Sequence, residues 1–232
     1  MISTRQWARL DPDNAVPWLH LAGEATAQAD ESGLAEAVFH IAHARRSESY
    51  SGVVTHEALA ALPLEQQGVQ ALPLLSAELT WSLPPMQTTA RYCNDDATRD
   101  ANRRLVCGDV ADTLLQRGST LIERRIGRRI AQRAGWPAAM LAALDEETDA
   151  LMYALRQQLV PDAEAGDCAN KLAIGRYVRL LAEHGEVGAA REAMRRGGRS
   201  IAELAAAYRA ERLARREKEA AAAAASAAAT PP

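Results

Sequence analysis

Residues 11–44 read DPDNAVPWLHLAGEATAQADESGLAEAVFHIAHA, and two successive helices can be drawn from them before anything else in the chain is considered. Asp11-Pro12-Asp13-Asn14 read as the end of one helix and the cap of the next. Pro blocks continuation, and an Asp or Asn side chain accepts from the free N–H groups of a first turn. The following residues predict a helix over 15–29, with Trp18, Leu21, Ala22 and Ala25 on one face at the 3.6-residue period. Asp30, Glu31, Ser32 and Gly33 make the turn. A second helix over 34–44 carries Leu34, Ala35, Val38, Phe39, Ile41 and Ala42, a set broad enough to be covered on more than one side. Such a pair needs neighbours to bury its faces.

Composition extends that reading to the rest of the chain. Apolar residues make up 48% of the 232 residues, yet aromatics are only 4% and Phe39 is the single Phe, so the apolar fraction is chiefly Ala and Leu. Those residues lead the helix-propensity ranking, and a β-protein would need more Val, Ile, Thr and Tyr than this chain supplies. Breakers and caps at Pro63, Pro84-Pro85, Gly118-Ser119, Gly135-Trp136-Pro137 and Pro161 divide the middle into helices. These are expected over 53–62, 64–81, 85–93, 98–116, 119–134, 136–159 and 167–184. The box Ser200-Ile201-Ala202-Glu203 opens a last helix over 200–218. From 219 the chain is an Ala-rich low-complexity tail in which an extended helix should fray. The organisation expected is a helix pair over 1–48 with a partial preceding helix, an irregular helical domain over 49–218, and the tail over 219–232. The fold class is all-α, as an irregular α-α solenoid or a bundle of antiparallel helices.

The opening pair also resembles a known repeat. In the tetratricopeptide (TPR) pattern a Trp is followed three residues later by Leu and a small residue, then by Ala, Phe and Ala in the second helix, with Pro closing the unit. Trp18, Leu21 and Ala22 match the first helix. With one extra residue in the turn, Ala35, Phe39 and Ala42 match the second, and Pro12 stands where a preceding repeat would end. The closing Pro is missing, and Ser47 stands near its place. A fainter echo, GRYVRLLAEHGEVGAAREAM at 175–194, has Gly185 in the turn, Ala190 after it and Met194 in the Phe position. The resemblance covers 15–44 well and 171–198 weakly. It implies that small residues let the paired helices approach while Trp18 and Phe39 fill the groove between them, and that the protein holds another macromolecule. Only 2–10 precede the first turn, and Trp7-Ala8-Arg9-Leu10 read as the last turns of a helix. More N-terminal helix is therefore expected in the natural protein, and the first helices are where a missing partner would be sought.

The net charge of −3, from 27 basic and 30 acidic side chains, gives no global field toward nucleic acid or an anionic membrane. Local basic features stand out instead. The run ERRIGRRIAQR at 123–133 places Ile122, Ile126 and Ile130 on one face and leaves Arg124, Arg125, Arg128, Arg129 and Arg133 around the others. These five are the candidate partner-binding residues, since Arg suits bidentate contacts to phosphate or carboxylate. A second stretch over 191–219 carries nine basic and five acidic residues, and its GRSIAELAAAYR segment is faintly similar to a helix-turn-helix element.

Catalytic signals are thin. His20, His40 and His43 lack an HExxH frame and predict no metal site. Asp95-Asp96, and Asp145-Glu146-Glu147 with Asp149, read as helix-start charge and solvated faces. Asp109 and Asp112, one turn apart beside Cys107, are the carboxylates to inspect first for acid–base chemistry. The chain carries no GxxxxGK[ST], GxGxxG or GxSxG motif. Cys93, Cys107 and Cys168 have no CxxC spacing and are expected as three buried thiols. The alternative is a disulfide. Pairing Cys93 with Cys107 requires the segment around Cys93 to fold back along a helix, and Cys168 could pair with either. No run approaches membrane-spanning length, and the N-terminus carries no signal pattern, so the chain as written reads as cytoplasmic; export is expected only if an upstream segment exists. The function expected is a non-catalytic helical interaction or scaffold module with a protein partner and no cofactor. The alternatives are a binder of nucleic acid or an acidic partner through 119–134, and an enzyme without a recognised motif.

Overall fold

Capping side chains set where each helix begins. The computed structural model describes residues 2–50, 52–82, 84–159 and 167–228, and among these residues it contains eleven α-helices and no strand. They are α1 (Thr4–Leu10), α2 (Ala15–Ala27), α3 (Glu31–His43), α4 (Val53–Ala60), α5 (Leu64–Ser82), α6 (Gln87–Tyr92), α7 (Ala101–Asp112), α8 (Leu121–Arg133), α9 (Ala138–Leu159), α10 (Asp167–Gly197) and α11 (Ile201–Ala228). The loop expected at Pro161 and the last residues of the tail lie outside the described residues.

Asn14 caps α2 through the N–H of Val16 at 3.2 Å. Asp30 accepts from the N–H of Gly33 at 2.9 Å, so α3 starts at Glu31, earlier than the apolar pattern predicts. The single helix expected over 98–116 is three pieces. A 3₁₀ turn (Ala97–Arg99) is followed by a fresh start of α7, where Asp100 accepts from Arg103 N–H at 2.8 Å, and α7 then widens into a π turn (Thr113–Arg117). Gly185 breaks α10 with φ +65°, a conformation that only Gly adopts freely, at the position where the sequence places a turn.

The main core joins Ala15, Leu19 and Ala22 of α2 and Val38 and Ile41 of α3 to Val110, Leu114, Ile130 and Leu144. Packing thus runs across residue 48, where the sequence suggests a boundary. The helix covering α3 is α7, from well beyond the next helices in sequence. A second cluster packs α5, α9 and α10 around Leu151 and Leu181, a third joins α4, α5 and α10 around Val178, and Ala150 meets Leu204 and Ala205 where α11 lies on α9. Among the described residues no helix is long and apolar enough to cross a membrane.

Two expectations are corrected here. Phe39 does not fill the groove between α2 and α3; it is 53% exposed, and Ala35 is exposed beside it. The reason is that α7 and the π turn cover α3 from the side of Val38, Ile41 and Ala42, with Thr113 Oγ1 donating to the Ala42 carbonyl at 3.2 Å. Cys93 and Cys107 are not free thiols but a disulfide, with Cα atoms 5.7 Å apart. The 3₁₀ turn reverses the chain so that Cys93 lies back along α7. The expectation for Cys168 falls outside the described side chains.

Candidate functional site

The arginines of α8 are the first place to look, and the structure separates them. The face that α8 buries is built from Leu121, Glu123, Arg124, Gly127, Ile130 and Ala131, with Ile126 half-buried against the core and Ile122 45% exposed. The buried face thus keeps part of the isoleucine face and widens to the side of Glu123 and Arg124. Gly127 explains the widening, because a Cβ there would press on Leu114 and Leu115 of the π turn. Arg124 is therefore buried. It donates to the Leu115 carbonyl at 2.7 Å and pairs with Glu147 of α9 at 2.5 Å, and Arg191 of α10 reaches the other Glu147 oxygen at 2.9 Å. Burial pushes the Glu147 carboxyl up, but the hydrogen bond from Arg191 and the charges of Arg124 and Arg191 outweigh it and leave it below the usual range. Arg128 grips Asp145 with two bonds of 2.7 Å. Arg133 donates to the Ala90 carbonyl at 3.0 Å and lies 3.4 Å from Asp95. Of the five candidate residues, only Arg125 and Arg129 remain exposed.

The acidic run on α9 is the counterpart of this arrangement. Asp145, Glu147 and Asp149, the last paired with Arg209 at 2.7 Å, tie α8, α10 and α11 to α9, so they are a seam rather than the solvated face expected. Asp109 is exposed and Asp112 half-buried, and neither lines the cleft between α1, α2 and α3.

A second polar region lies at the N-terminus of α8. The segment 44–49 runs between α2 and α8, bridging Asn14 to Arg46 and Ser47 to Gly118. Ser47 Oγ and both the N–H and hydroxyl of Thr120 donate to Glu123, which is fully buried. Desolvation pushes the Glu123 carboxyl up to about 7, against the lowering by those donors. Glu186 accepts from Leu121 N–H at 2.7 Å, and burial raises its carboxyl too. In the same way Glu78 of α5 caps α4 from outside, accepting from the N–H of Gly52 and Thr55 at 3.0 Å each and from the Thr55 hydroxyl at 2.7 Å. Nothing local in sequence marks Glu78, because it acts across 23 residues and more.

Unlike these closed networks, the space between α1, α2 and α3 is an open cleft of about 290 Å³. Arg5 and Arg9 stand on its α1 wall, Trp18 and Leu21 on α2, and Glu36 on α3. Trp18 stacks on His40 with ring centroids 3.7 Å apart and 10° between planes, and its indole N–H donates to the Pro12 carbonyl at 3.1 Å. That stack makes a fixed aromatic wall. Ala8 and Ala37 are buried at the floor, and Asp30 and Glu24 complete the acidic side, with Glu24 accepting from the Thr4 hydroxyl at 2.5 Å. Arg5, Arg9 and Glu36 form no ion pair among the described residues. His20, against Trp7, is lowered by burial, which Glu24 partly offsets. Among the described residues no three His, Cys, Asp or Glu side chains are grouped to hold a metal.

No family model, no curated protein and no solved structure matches this chain. The cleft is therefore read on its own chemistry. Sequence pattern alone misses Arg5, Arg9 and Glu36, since each is an ordinary exposed helix residue; the signal that points toward them is the short helical run before the Asp11-Pro12 turn.

Proposed function

We propose that the chain is a non-catalytic, TPR-like interaction module that holds a segment of a partner protein in the cleft between α1, α2 and α3. The observation that carries this reading is the combination of Trp18, fixed on the wall by its stack on His40, with Arg5, Arg9 and Glu36, which form no ion pair among the described residues. A charged side chain satisfied inside its own protein has little to offer a partner. One held beside an aromatic wall without a direct ion pair gains a charge-assisted hydrogen bond when a peptide supplies the partner. The volume suits a few residues of an extended or helical segment rather than a whole folded surface. The resemblance to TPR helix pairs in Trp18, Leu21, Ala22 and Ala42 supports the same reading, and the outward-facing Ala35 and Phe39 limit it to one layer rather than an array.

The test uses the full chain as bait in three forms: wild type, Arg5→Glu with Arg9→Glu, and Arg125→Glu with Arg129→Glu. We expect a protein that is enriched by the wild type to be lost from the first variant and retained by the second. Loss from the α8 variant alone, with retention by the cleft variant, would favour the nucleic-acid or acidic-partner alternative. Both variants should fold as the wild type does, because each changes only exposed side chains.

A further inference from the structure

We propose that Cys93 and Cys107 are joined by an external oxidant as the chain folds, so that this protein is built for an oxidising compartment, where the bond locks α6 onto α7. Cys93 is the C-cap of α6, and Cys107 lies in the middle of α7. Both are fully buried in the main core beside Ile130, Ala131 and Trp136. A helix of six residues does not hold itself, because its few internal bonds cannot offset the cost of nucleation. The other ties on α6 are Met86 at its start and Tyr92 at its end, packed on the main core, Arg133 donating to the Ala90 and Cys93 carbonyls, the Arg103 guanidinium 4.3 Å over the Tyr92 ring, and Pro85 seated on Gly23 of α2. Thr89 Oγ1 is buried in α6 without a hydrogen-bond partner among the described residues, a cost that the packing around it has to offset. The residues enclosed by the bond are mostly exposed and polar, so apolar burial between the two ends contributes little to holding the turn closed.

Position distinguishes this bond from a cycling one. A redox-active pair keeps one sulfur accessible with a lowered pKa, whereas both of these sulfurs are enclosed by the core, out of reach of a small thiol. Enclosed bonds of this kind form before the core closes and then persist, as they do in exported proteins, while the thiol pools of the cytosol keep cysteines reduced. In the step itself, the two thiols lose two protons and two electrons and the Sγ–Sγ bond forms. The electrons pass to the disulfide of a thiol–disulfide oxidoreductase, which leaves as its dithiol.

Intact cells of the native host are quenched with iodoacetamide under denaturing conditions without reductant, and the full-length protein is digested and analysed by mass spectrometry. We expect a linked peptide pair containing Cys93 and Cys107, with neither carrying the alkyl group. Alkylation of both residues overturns the proposal. A second measurement compares the melting of the purified chain with that of Cys93→Ala with Cys107→Ala. The loop closed has a sequence separation of 14, for which a melting temperature about 6–12 °C lower is expected in the double variant. Refolding in reductant should bring the wild type down to the variant and leave the variant unmoved. Equal melting of the two oxidised proteins overturns the lock, whatever the alkylation shows about the compartment.

Discussion

The arginines of α8 and those of α1 carry the same chemistry into opposite circumstances. Arg124, Arg128 and Arg133 are drawn inward onto Glu147, Asp145 and the end of α6, while Arg5 and Arg9 line a cleft and form no ion pair among the described residues. The first set comes from the densest basic run in the chain, and the second from an inconspicuous helix of seven residues. Density of charge thus marks where a fold is tied together as readily as where it meets a partner. What separates the cases is whether an opposite charge arrives from another helix. For α8 it comes from α9. For α1 the facing acids are Asp30, held at the start of α3 and feeling Arg5 only through space, Glu24, which takes the Thr4 hydroxyl, and Glu36, which forms no ion pair among the described residues.

The largest effect that tests this contrast is at Arg124. Removing a buried cation leaves Glu147 short of a partner and the Leu115 carbonyl without its donor, and breaking a buried pair from one side costs about 3–5 kcal/mol. Arg124→Ala should therefore unfold at clearly lower urea concentration than the wild type, whereas Arg125→Ala should shift the midpoint by no more than about 0.5 kcal/mol equivalent. If the two variants are alike, the inward and outward arginines are not distinct classes and the cleft loses its contrast.

Next in size is a pH effect at Glu123. Its carboxyl titrates near 7 in the folded protein against an ordinary value of 4.5, so the folded state holds the proton more tightly than the unfolded chain does. The stabilising contribution is fully present below pH 4.5 and is lost as pH rises through about 7, amounting to roughly 3 kcal/mol at 1.36 kcal/mol per pH unit. Glu123→Gln should gain stability relative to the wild type over that window, and the difference between the two is the quantity to measure by urea unfolding at several pH values. Glu186, also raised by burial, and His20, lowered by it, stay in both proteins and cancel from the comparison. A difference that does not change with pH would mean that the donors Ser47 and Thr120 offset burial, so that Glu123 titrates in the folded protein as it does in the unfolded chain.

Helix positions were legible because caps and breakers are local: Asn14, Ser200 and Gly185 each act within a few residues. The face that each helix buries was harder, since it depends on which helix arrives to cover it. The α8 sequence offers isoleucines at spacing four, yet Gly127 and the π turn widen the buried face to the side holding Glu123 and Arg124. Glu78, which caps α4 from α5, and Glu147, which joins three helices, act over distances that no local pattern records. The disulfide is only an alternative in sequence, because pairing needs the turn after Cys93 to fold back along the next helix. The 3₁₀ turn Ala97–Arg99 that shapes this reversal has no mark distinct from a helix start at 98.

The smallest effect expected is at Phe39, and it probes the N-terminal layer directly. A Phe that fills a groove between helices costs about 3–5 kcal/mol when cut to Ala, through lost burial and the cavity left behind. Phe39 is 53% exposed and touches chiefly the rings of His40 and His43, so Phe39→Ala should cost under about 1 kcal/mol. The contrast with Arg124→Ala then runs against ordinary hydropathy, with the charged residue inside and the aromatic one outside. If Phe39→Ala instead costs as much as a core substitution, and does so more at high protein concentration than at low, the face of α3 is covered by a second copy of the chain in solution. The cleft beside it would then be a rim of that interface and not a free site for a partner.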